Sequence, residues 1–352
     1  MNWECGMSPG RILYIDAMRG FVMLLVVYHH VLLHCPRNGM FSFDEIFFAI
    51  MLPLFFFTSG FVLSNESKTW TLQFSWQFMK KKFRALFVPT LIFLLLSDLI
   101  FQNSICDSFF SFVKNGYWFT ITLFEYFLLF VLIECLIYRL KLKEREDIIL
   151  LLFTLLVVFI PFVSYIVPSL NLNEHKLYNL LGVKQFYFFI YFIFGVLAKK
   201  YFHGFERYAL NEKAFAGYII VFTCVLVYSY LYNDGFVITI IAKLLVAFLG
   251  ILIVFSVFRR YSSMFNVDTV VGKSLIYIGR RTLDIYLLHY FFLPHGIVEL
   301  LLNKLSDPTS EFIVVAFCAM VTVLICLGIS SVIRVSPSLA HLLFGVKKQN
   351  SL

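Results

Sequence analysis

Five ionisable side chains interrupt the first long apolar stretch of the chain, which reads YIDAMRGFVMLLVVYHHVLLHC over residues 14–35. These side chains belong to Asp16, Arg19, His29, His30 and His34. Ionisable groups inside a membrane span are costly, and they usually face a cavity or a substrate pathway. We therefore interpret the stretch as part of a functional site. The alternative is an arginine that snorkels to the lipid headgroups and histidines that pack within the bundle.

Helical spacing places an acid, a guanidinium and an imidazole on related faces of this stretch. Asp16 precedes Arg19 by three residues, so the two side chains can pair. Arg19 and His30 are eleven residues apart, which is about three turns, so they share one face and lie about 16 Å apart along the axis. His34 falls on a neighbouring part of that face, whereas His29 points about 100° away.

These residue types suit a reaction on a long anionic molecule that enters from the cytoplasm. A histidine in a dry site can act as a general base near neutral pH. An arginine nearer the cytoplasm can bind a phosphate through two parallel hydrogen bonds. The pattern predicts an anion clamp and a proton acceptor on one helix. The alternative is that Asp16 and Arg19 form a structural salt bridge and that His30 is packed in the bundle without a catalytic role.

The composition is that of a membrane protein. The 352 residues are 61% hydrophobic and 14% charged, with a mean hydropathy of +0.86. A soluble domain is about half apolar and about a quarter charged. The formal charge of +8 lies in short clusters between apolar runs. Membrane topology explains such clusters, so we expect the lipid bilayer and not nucleic acid as the partner. The seven cysteines show no metal-ligand spacing, and we expect no metal.

We predict one all-α domain over residues 1–352, a polytopic helix bundle with about ten transmembrane helices. The predicted spans are 12–34, 41–63, 84–101, 117–138, 148–168, 185–202, 214–232, 236–258, 275–302 and 311–333. With both termini cytoplasmic, twenty of the 29 lysines and arginines fall in inner segments and five in outer loops. This asymmetry follows the positive-inside rule and supports that orientation.

Six stretches, taken in chain order, resemble the membrane acyltransferase 3 family. The first is IDAMRG followed by VVYHH, which carries Arg19 and His30. The others are MLPLFFFTSGFVLS (51–64), KKKFRALFVP (80–89), YWFTITLFEYFLL (117–129), FFIYFIFGVLAKKYF (188–202) and SLIYIGRRTLDIYLLH (274–289). The resemblance covers nearly the whole chain. It implies transfer of an acyl group, most simply acetyl, from an acyl-CoA to a hydroxyl of a cell-surface or lipid-linked glycan.

The resemblance also implies roles for the donor side of the site. His30 is expected to be the general base, and Arg19 to hold the donor with Asp16 fixing its rotamer. Arg84, Lys81 and Lys82 are expected to contact the phosphates of coenzyme A. The family often has Arg-x-x-Arg here, and Lys81 in the first position keeps the charge without the planar fork. The alternative for this cluster is anchoring on the cytoplasmic leaflet.

Four further residues are candidates for contact with the acceptor glycan, namely Trp118, Glu125, His289 and His34. Trp118 could stack on a sugar ring, or it could belong to an interfacial aromatic belt. Glu125 is an isolated carboxylate in an apolar run, which makes it a candidate to bind a hydroxyl. His289 could support the site or be structural. Near it, Arg280 and Asp284 are four residues apart and can pair along one helix face.

Most family members are bacterial, so the resemblance implies a bacterial cytoplasmic (inner) membrane as the location. The main alternative function is a transporter or flippase of a glycan or lipid-linked precursor. Such a protein would share the spans and the charges within them. It would also be expected to show internal repeats or paired broken helices. The sequence shows neither.

Overall fold

The computed structural model describes residues 12–33, 43–63, 69–167, 171, 174–231, 235–294, 296 and 308–346. In this part of the chain every regular element is a helix and there is no strand. The α-helices, numbered in chain order, are α1 Leu13–Leu32, α2 Phe43–Leu63, α3 Leu72–Phe101, α4 Ile105–Phe110, α5 Trp118–Arg139, α6 Glu146–Ile166, α7 Lys176–Leu180, α8 Phe189–Lys200, α9 Phe202–Ala209, α10 Glu212–Leu231, α11 Phe236–Arg260, α12 Val270–Arg280, α13 Thr282–Leu288, α14 Pro308–Ile333 and α15 Pro337–Phe344.

Eight of the described helices are long and apolar enough to cross a membrane. They are Leu13–Leu32, Ile46–Leu63, Leu72–Phe101, Trp118–Arg139, Lys143–Val163, Glu212–Ser229, Val237–Arg260 and Thr309–Ile333. Each overlaps one of the predicted spans. The prediction of an all-α polytopic membrane bundle is confirmed. The sidedness of the termini stays a prediction.

The other two predicted spans contain backbone breaks that hydropathy does not reveal. The range 185–202 begins within a 3-10 helix, Val183–Phe188, and continues as α8. The range 275–302 holds the end of α12, a break at Arg281, α13 and a 3-10 turn, His289–Phe291. Residues 295 and 297–302 of this range lie outside the described residues. Neither range is one continuous α-helix, so their spans differ from the simple helices that the apolar runs predict.

The helix predicted to start at residue 84 begins twelve residues earlier. It starts at Leu72, where the Thr71 hydroxyl accepts the Phe74 N–H at 3.3 Å and caps the first turn. A π-helical turn, Phe83–Phe87, lies inside it. The basic residues that precede the predicted span are therefore helical.

The chain divides into two compact units. The first unit comprises Met1–Thr58, Tyr201–Thr282 and Pro294–Val321. The second comprises Ser59–Lys200, Leu283–Leu293 and Thr322–Leu352. The first therefore contains α1 and α9 to α12, and the second contains α3 to α8 and α15.

In the first unit, α1 and α12 approach until their backbones touch. A Cβ added to Gly20 would overlap the carbonyl oxygen of Leu275, and one added to Gly279 would overlap that of Asp16. Small residues allow this close approach. In lipid there is no hydrophobic driving force between helices, so the van der Waals contacts of the close approach hold them together. The interface therefore depends on both glycines.

In the second unit, aromatic rings fill the space between α3, α5 and α8. The ring of Phe192 lies 5.4 Å from Phe127 and 6.2 Å from Phe130. Trp70 packs edge-on against Phe130 at 5.5 Å. Edge-to-face pairs at these separations add to the apolar burial, so the unit has a dense aromatic core.

We expect Gly20→Ala to destabilise the protein by about 1–3 kcal/mol, because the new methyl group would force the two backbones apart. The measurement is the thermal unfolding midpoint of the detergent-purified protein. Gly217→Ala is the matched control, since a Cβ there meets nothing within 4 Å on α10. Equal midpoints for the two variants would contradict the close packing of α1 against α12.

Candidate functional site

Asp16 is held at the interface between α1 and α12 in the first unit. Its side chain is buried, and its Oδ2 lies 3.5 Å from Nε of Arg280. The close contact at Gly279 brings the two helices near enough for this ion pair. Arg280 also has a buried Nη2 without a hydrogen-bond partner among the described residues. One donor of this guanidinium is thus available to a bound acceptor atom.

Arg19 belongs to the same cluster. Its Nη2 donates to the Thr282 hydroxyl at 3.3 Å, across the break between α12 and α13. Two guanidiniums and one carboxylate, that of Asp16, leave a net charge of +1. In a partly buried setting such a charge attracts anions more strongly than it would in water. The cluster of Asp16, Arg19, Arg280 and Thr282 is hereafter the arginine cluster.

His30 lies near the other end of α1. The helix runs unbroken from Leu13 to Leu32, so Arg19 and His30 share one face at an axial distance of about 16 Å. The His30 side chain is half-buried, whereas His29 is buried and packs its ring 5.1 Å from that of Phe48. The structure thus brings the clamp and base candidates onto one rigid element. His34 lies outside the described residues.

The predicted donor-binding residues lie on α3 in the second unit. Lys81 and Arg84 are exposed. The Lys82 ammonium lies 3.9 Å from the centre of the Phe127 ring and 5.2 Å from that of Phe78. Such cation–π contacts stabilise the side chain in one position. Lys82 therefore packs against two aromatic rings.

Two of the candidates for contact with the acceptor glycan, Trp118 and Glu125, lie on α5. The Trp118 ring is nearly parallel to that of Phe188, with centroids 6.3 Å apart, and it is partly exposed. Glu125 lies beside Gly182, and its buried Oε2 has no hydrogen-bond partner among the described residues. The nearby Lys114 is almost fully buried, and burial lowers its pKa while Glu125 opposes that shift. An unsatisfied carboxylate oxygen can accept a hydrogen bond from a hydroxyl.

His289 is completely buried in the 3-10 turn that follows α13. Its Nδ1 lies 2.7 Å from the Tyr286 carbonyl oxygen and 3.1 Å from that of Ile285. Because carbonyl oxygens only accept, Nδ1 must carry the proton, and Nε2 of a neutral ring is then an acceptor. The imidazole is fixed in one tautomer and one orientation.

The predicted pair of Arg280 with Asp284 is wrong. Arg280 pairs with Asp16, as described above. Asp284 accepts two hydrogen bonds from Arg334, at 2.7 and 2.9 Å, and a third from Ser330. A bidentate pair with an added hydroxyl supplies the buried Asp284 carboxylate with both charge and hydrogen-bond donors. Arg334 is fifty residues away in sequence, so no helical spacing could have indicated it.

Comparison with models of protein families assigns the chain to one family. The family model of the acyltransferase 3 family, described as an acyltransferase domain, matches residues 12–331. The chain therefore belongs to this family, and with its apolar helices it is an integral membrane acyltransferase. The matched range contains every site candidate named above. No curated protein and no solved structure gives a significant match.

We expect Arg334→Met to lower the stability of the protein by about 3 kcal/mol, because the buried Asp284 carboxylate would lose its charge partner. This is the lower end for a buried pair, since the Arg334 side chain is 26% exposed. Thermal unfolding with and without a second change, Asp284→Asn, measures the coupling. The second change should restore much of the loss. An additive double variant would contradict the pairing.

Proposed function

We propose that the protein transfers an acyl group, most simply acetyl, from an acyl-CoA to a hydroxyl of a cell-surface or lipid-linked glycan. The family supports acyl transfer. The observation that carries the finer proposal is the arginine cluster, a partly buried site of net charge +1 whose Arg19 lies on the same unbroken helix as His30. We propose the bacterial cytoplasmic membrane as the location, with both termini on its cytoplasmic side.

His30 is the general base of the proposed reaction. A sugar hydroxyl is a weak nucleophile at neutral pH unless its proton is removed as it attacks. An imidazole nitrogen of His30 takes that proton while the hydroxyl oxygen bonds to the thioester carbonyl carbon. The carbon–sulfur bond then breaks, and the thiolate of coenzyme A takes the proton from the imidazolium. The products are the glycan ester and free coenzyme A.

The arginine cluster holds the anionic part of the donor in this proposal. Arg19 binds a phosphate or the pantetheine arm, and the available Nη2 of Arg280 adds a second donor. Asp16, which pairs with Arg280, fixes the rotamer of Arg19 in this proposal. The clamp on one helix then sets how far along α1 the thioester lies, which reduces the entropy lost in reaching the reactive geometry.

Residues of the second unit have separate proposed roles. Arg84, Lys81 and Lys82 contact the phosphates of coenzyme A. The exposure of Arg84 and Lys81 supports this role, because a charge-based clamp needs access to the aqueous ligand. Screening by salt should weaken such contacts, and raised ionic strength is expected to weaken donor binding.

Four residues are proposed to bind the acceptor glycan. Trp118 stacks on a sugar ring, and its partial exposure supports that role. Glu125 accepts a hydrogen bond from an acceptor hydroxyl through its unsatisfied oxygen. His289 contributes through Nε2, and His34 is retained as a candidate from its position four residues after His30.

The direct experiment measures thiol release. The purified protein in lipid nanodiscs is given acetyl-CoA with and without a glycan extract from the cell surface. The proposal predicts free coenzyme A only when the extract is present, together with an acetylated glycan by mass spectrometry. A transporter or flippase would move its cargo without cleaving the thioester, so the absence of thiol in both arms would contradict the proposal.

We expect His30→Ala to slow acyl transfer by about 10²–10⁴-fold, the usual contribution of a positioned general base. The rate of thiol release measures the effect, and an unchanged elution profile shows that the variant is folded. His203→Ala is the matched control, because His203 is an exposed histidine on α9. A His30→Ala variant with the rate of this control would remove the general-base assignment.

A further inference from the structure

Three side-chain oxygens of the second unit converge on the backbone of Gly182. A Cβ added to this glycine would lie 3.1 Å from Oε2 of Glu125 and 3.3 Å from Oγ1 of Thr122. It would lie 3.5 Å from Oε1 of Gln185. All three oxygens are therefore close to a single point. We call the side chains of Thr122, Glu125 and Gln185 the oxygen cluster.

Two oxygens of this cluster have no hydrogen-bond donor among the described residues. They are Oε2 of Glu125 and Oε1 of Gln185, and both are buried. Gln185 is only 6% exposed. Its Nε2 donates to the Phe112 carbonyl oxygen at 3.1 Å, and because a carbonyl only accepts, Oε1 must be the end that faces the cluster. Buried acceptors without donors are costly, so the cluster favours an occupant that supplies two donors.

The nearby Lys114 cannot supply these donors. Its Nζ donates to the carbonyl oxygens of Asn179 at 2.7 Å, Ser111 at 3.2 Å and Phe109 at 3.3 Å. An ammonium has three N–H donors, so none is left for the Glu125 carboxylate. The charge of Lys114 nevertheless acts on that of Glu125 and balances it. An occupant of the cluster therefore needs to bring donors but no net charge.

An aromatic ring lies on the same helix face as the cluster. Thr122 and Glu125 follow Trp118 by four and seven residues, so the three side chains share one face of α5. The Trp118 ring is nearly parallel to that of Phe188, which ends the 3-10 helix that carries Gln185. A sugar has matching parts, because its C–H face can lie on an aromatic ring while its hydroxyls bind polar groups beside that ring.

We propose that Thr122 and Gln185 are specificity-determining residues for the acceptor, and that the acceptor sugar presents two adjacent hydroxyls to the oxygen cluster. One hydroxyl donates to Oε2 of Glu125 and its neighbour donates to Oε1 of Gln185, while the Thr122 hydroxyl donates to an oxygen of the same pair. Each hydroxyl has one hydrogen, so two acceptors need two hydroxyls. This inference rests on the proposed role of Glu125 and Trp118 in binding the acceptor glycan.

Two substitutions of Thr122 separate a binding role from a packing role. Thr122→Val keeps the shape and removes the hydroxyl, whereas Thr122→Ser keeps the hydroxyl and removes a methyl group. Thiol release from acetyl-CoA, with the cell-surface glycan extract as acceptor, gives a KM for each substrate. We expect Thr122→Val to raise the KM for the extract by about three- to tenfold and Thr122→Ser to leave it nearly unchanged. The KM for acetyl-CoA should not change in either variant.

Thr154→Val is the matched control. Thr154 is also buried in the second unit, and its hydroxyl donates to the Leu150 carbonyl oxygen at 2.7 Å within α6. Its KM for the extract should equal that of the unchanged protein. The same rise in Thr154→Val, or a larger rise in Thr122→Ser than in Thr122→Val, would indicate a packing effect and overturn the proposal.

Gln185→Met tests the second residue, because methionine has a similar length but no amide oxygen. We expect the KM for the extract to rise by about three- to tenfold, again with an unchanged KM for acetyl-CoA. Gln73→Met is the control for this substitution, since Gln73 is exposed on α3. An equal KM for the extract in these two variants would exclude Gln185 from the acceptor site.

Binding without acyl-CoA separates this inference from the proposed acyl transfer. The extract should raise the thermal unfolding midpoint of the unchanged protein in nanodiscs, and it should raise that of Gln185→Met less. Periodate cleaves the carbon–carbon bond between adjacent hydroxyls, so an extract treated with periodate should lose its effect.

The outcomes of these measurements are distinct. Stabilisation that is reduced in Gln185→Met, without thiol release, would contradict acyl transfer and leave the inference standing. Thiol release with an unchanged KM for the extract in Thr122→Val and Gln185→Met would overturn the inference and leave acyl transfer standing. Full stabilisation by the periodate-treated extract would also overturn the inference. Absence of both stabilisation and thiol release would overturn both.

Discussion

The contact between the backbones of α1 and α12 is the constraint on which the charged residues of the first unit depend. Gly20 and Gly279 let the helices touch, and Asp16 and Arg280 then face each other across the contact. Lipid offers no hydrophobic reason for helices to associate, so close packing and a charge pair in a low dielectric must supply it. The same pair would be a liability if the helices separated, because each charge would then be buried alone.

The contact also organises the proposed chemistry. Arg19 lies one residue before Gly20 on α1, so the interface that fixes the backbone also fixes the start of this side chain. Thr282, after the break at Arg281, meets it from the other segment. An unbroken helix carries this order to His30, about 16 Å away. Catalysis benefits when such groups are held in place before the substrate arrives, since no reorganisation is then needed during the reaction.

Local sequence patterns predicted the parts of this arrangement that depend on one helix. Hydropathy indicated the apolar helices, and helical periodicity placed Arg19 and His30 on one face, because both depend only on residues near one another in the chain. Such patterns could not predict ion-pair partners that are distant in the sequence. Spacing allowed Arg280 to pair with Asp284. In the structure Arg280 pairs with Asp16, and Asp284 pairs with Arg334. The break at Arg281 and the early start of α3 at Leu72 were also missed, since apolar composition does not record backbone geometry.

The central claim is that the arginine cluster holds an acyl-CoA with its thioester beside His30. An experimental structure of the protein bound to a non-hydrolysable acyl-CoA analogue in nanodiscs tests it most directly. We expect phosphate or pantetheine density against Arg19 and Arg280, with the thioester analogue next to the His30 imidazole. An analogue bound with its thioester remote from His30, while the arginine cluster remained empty, would contradict it.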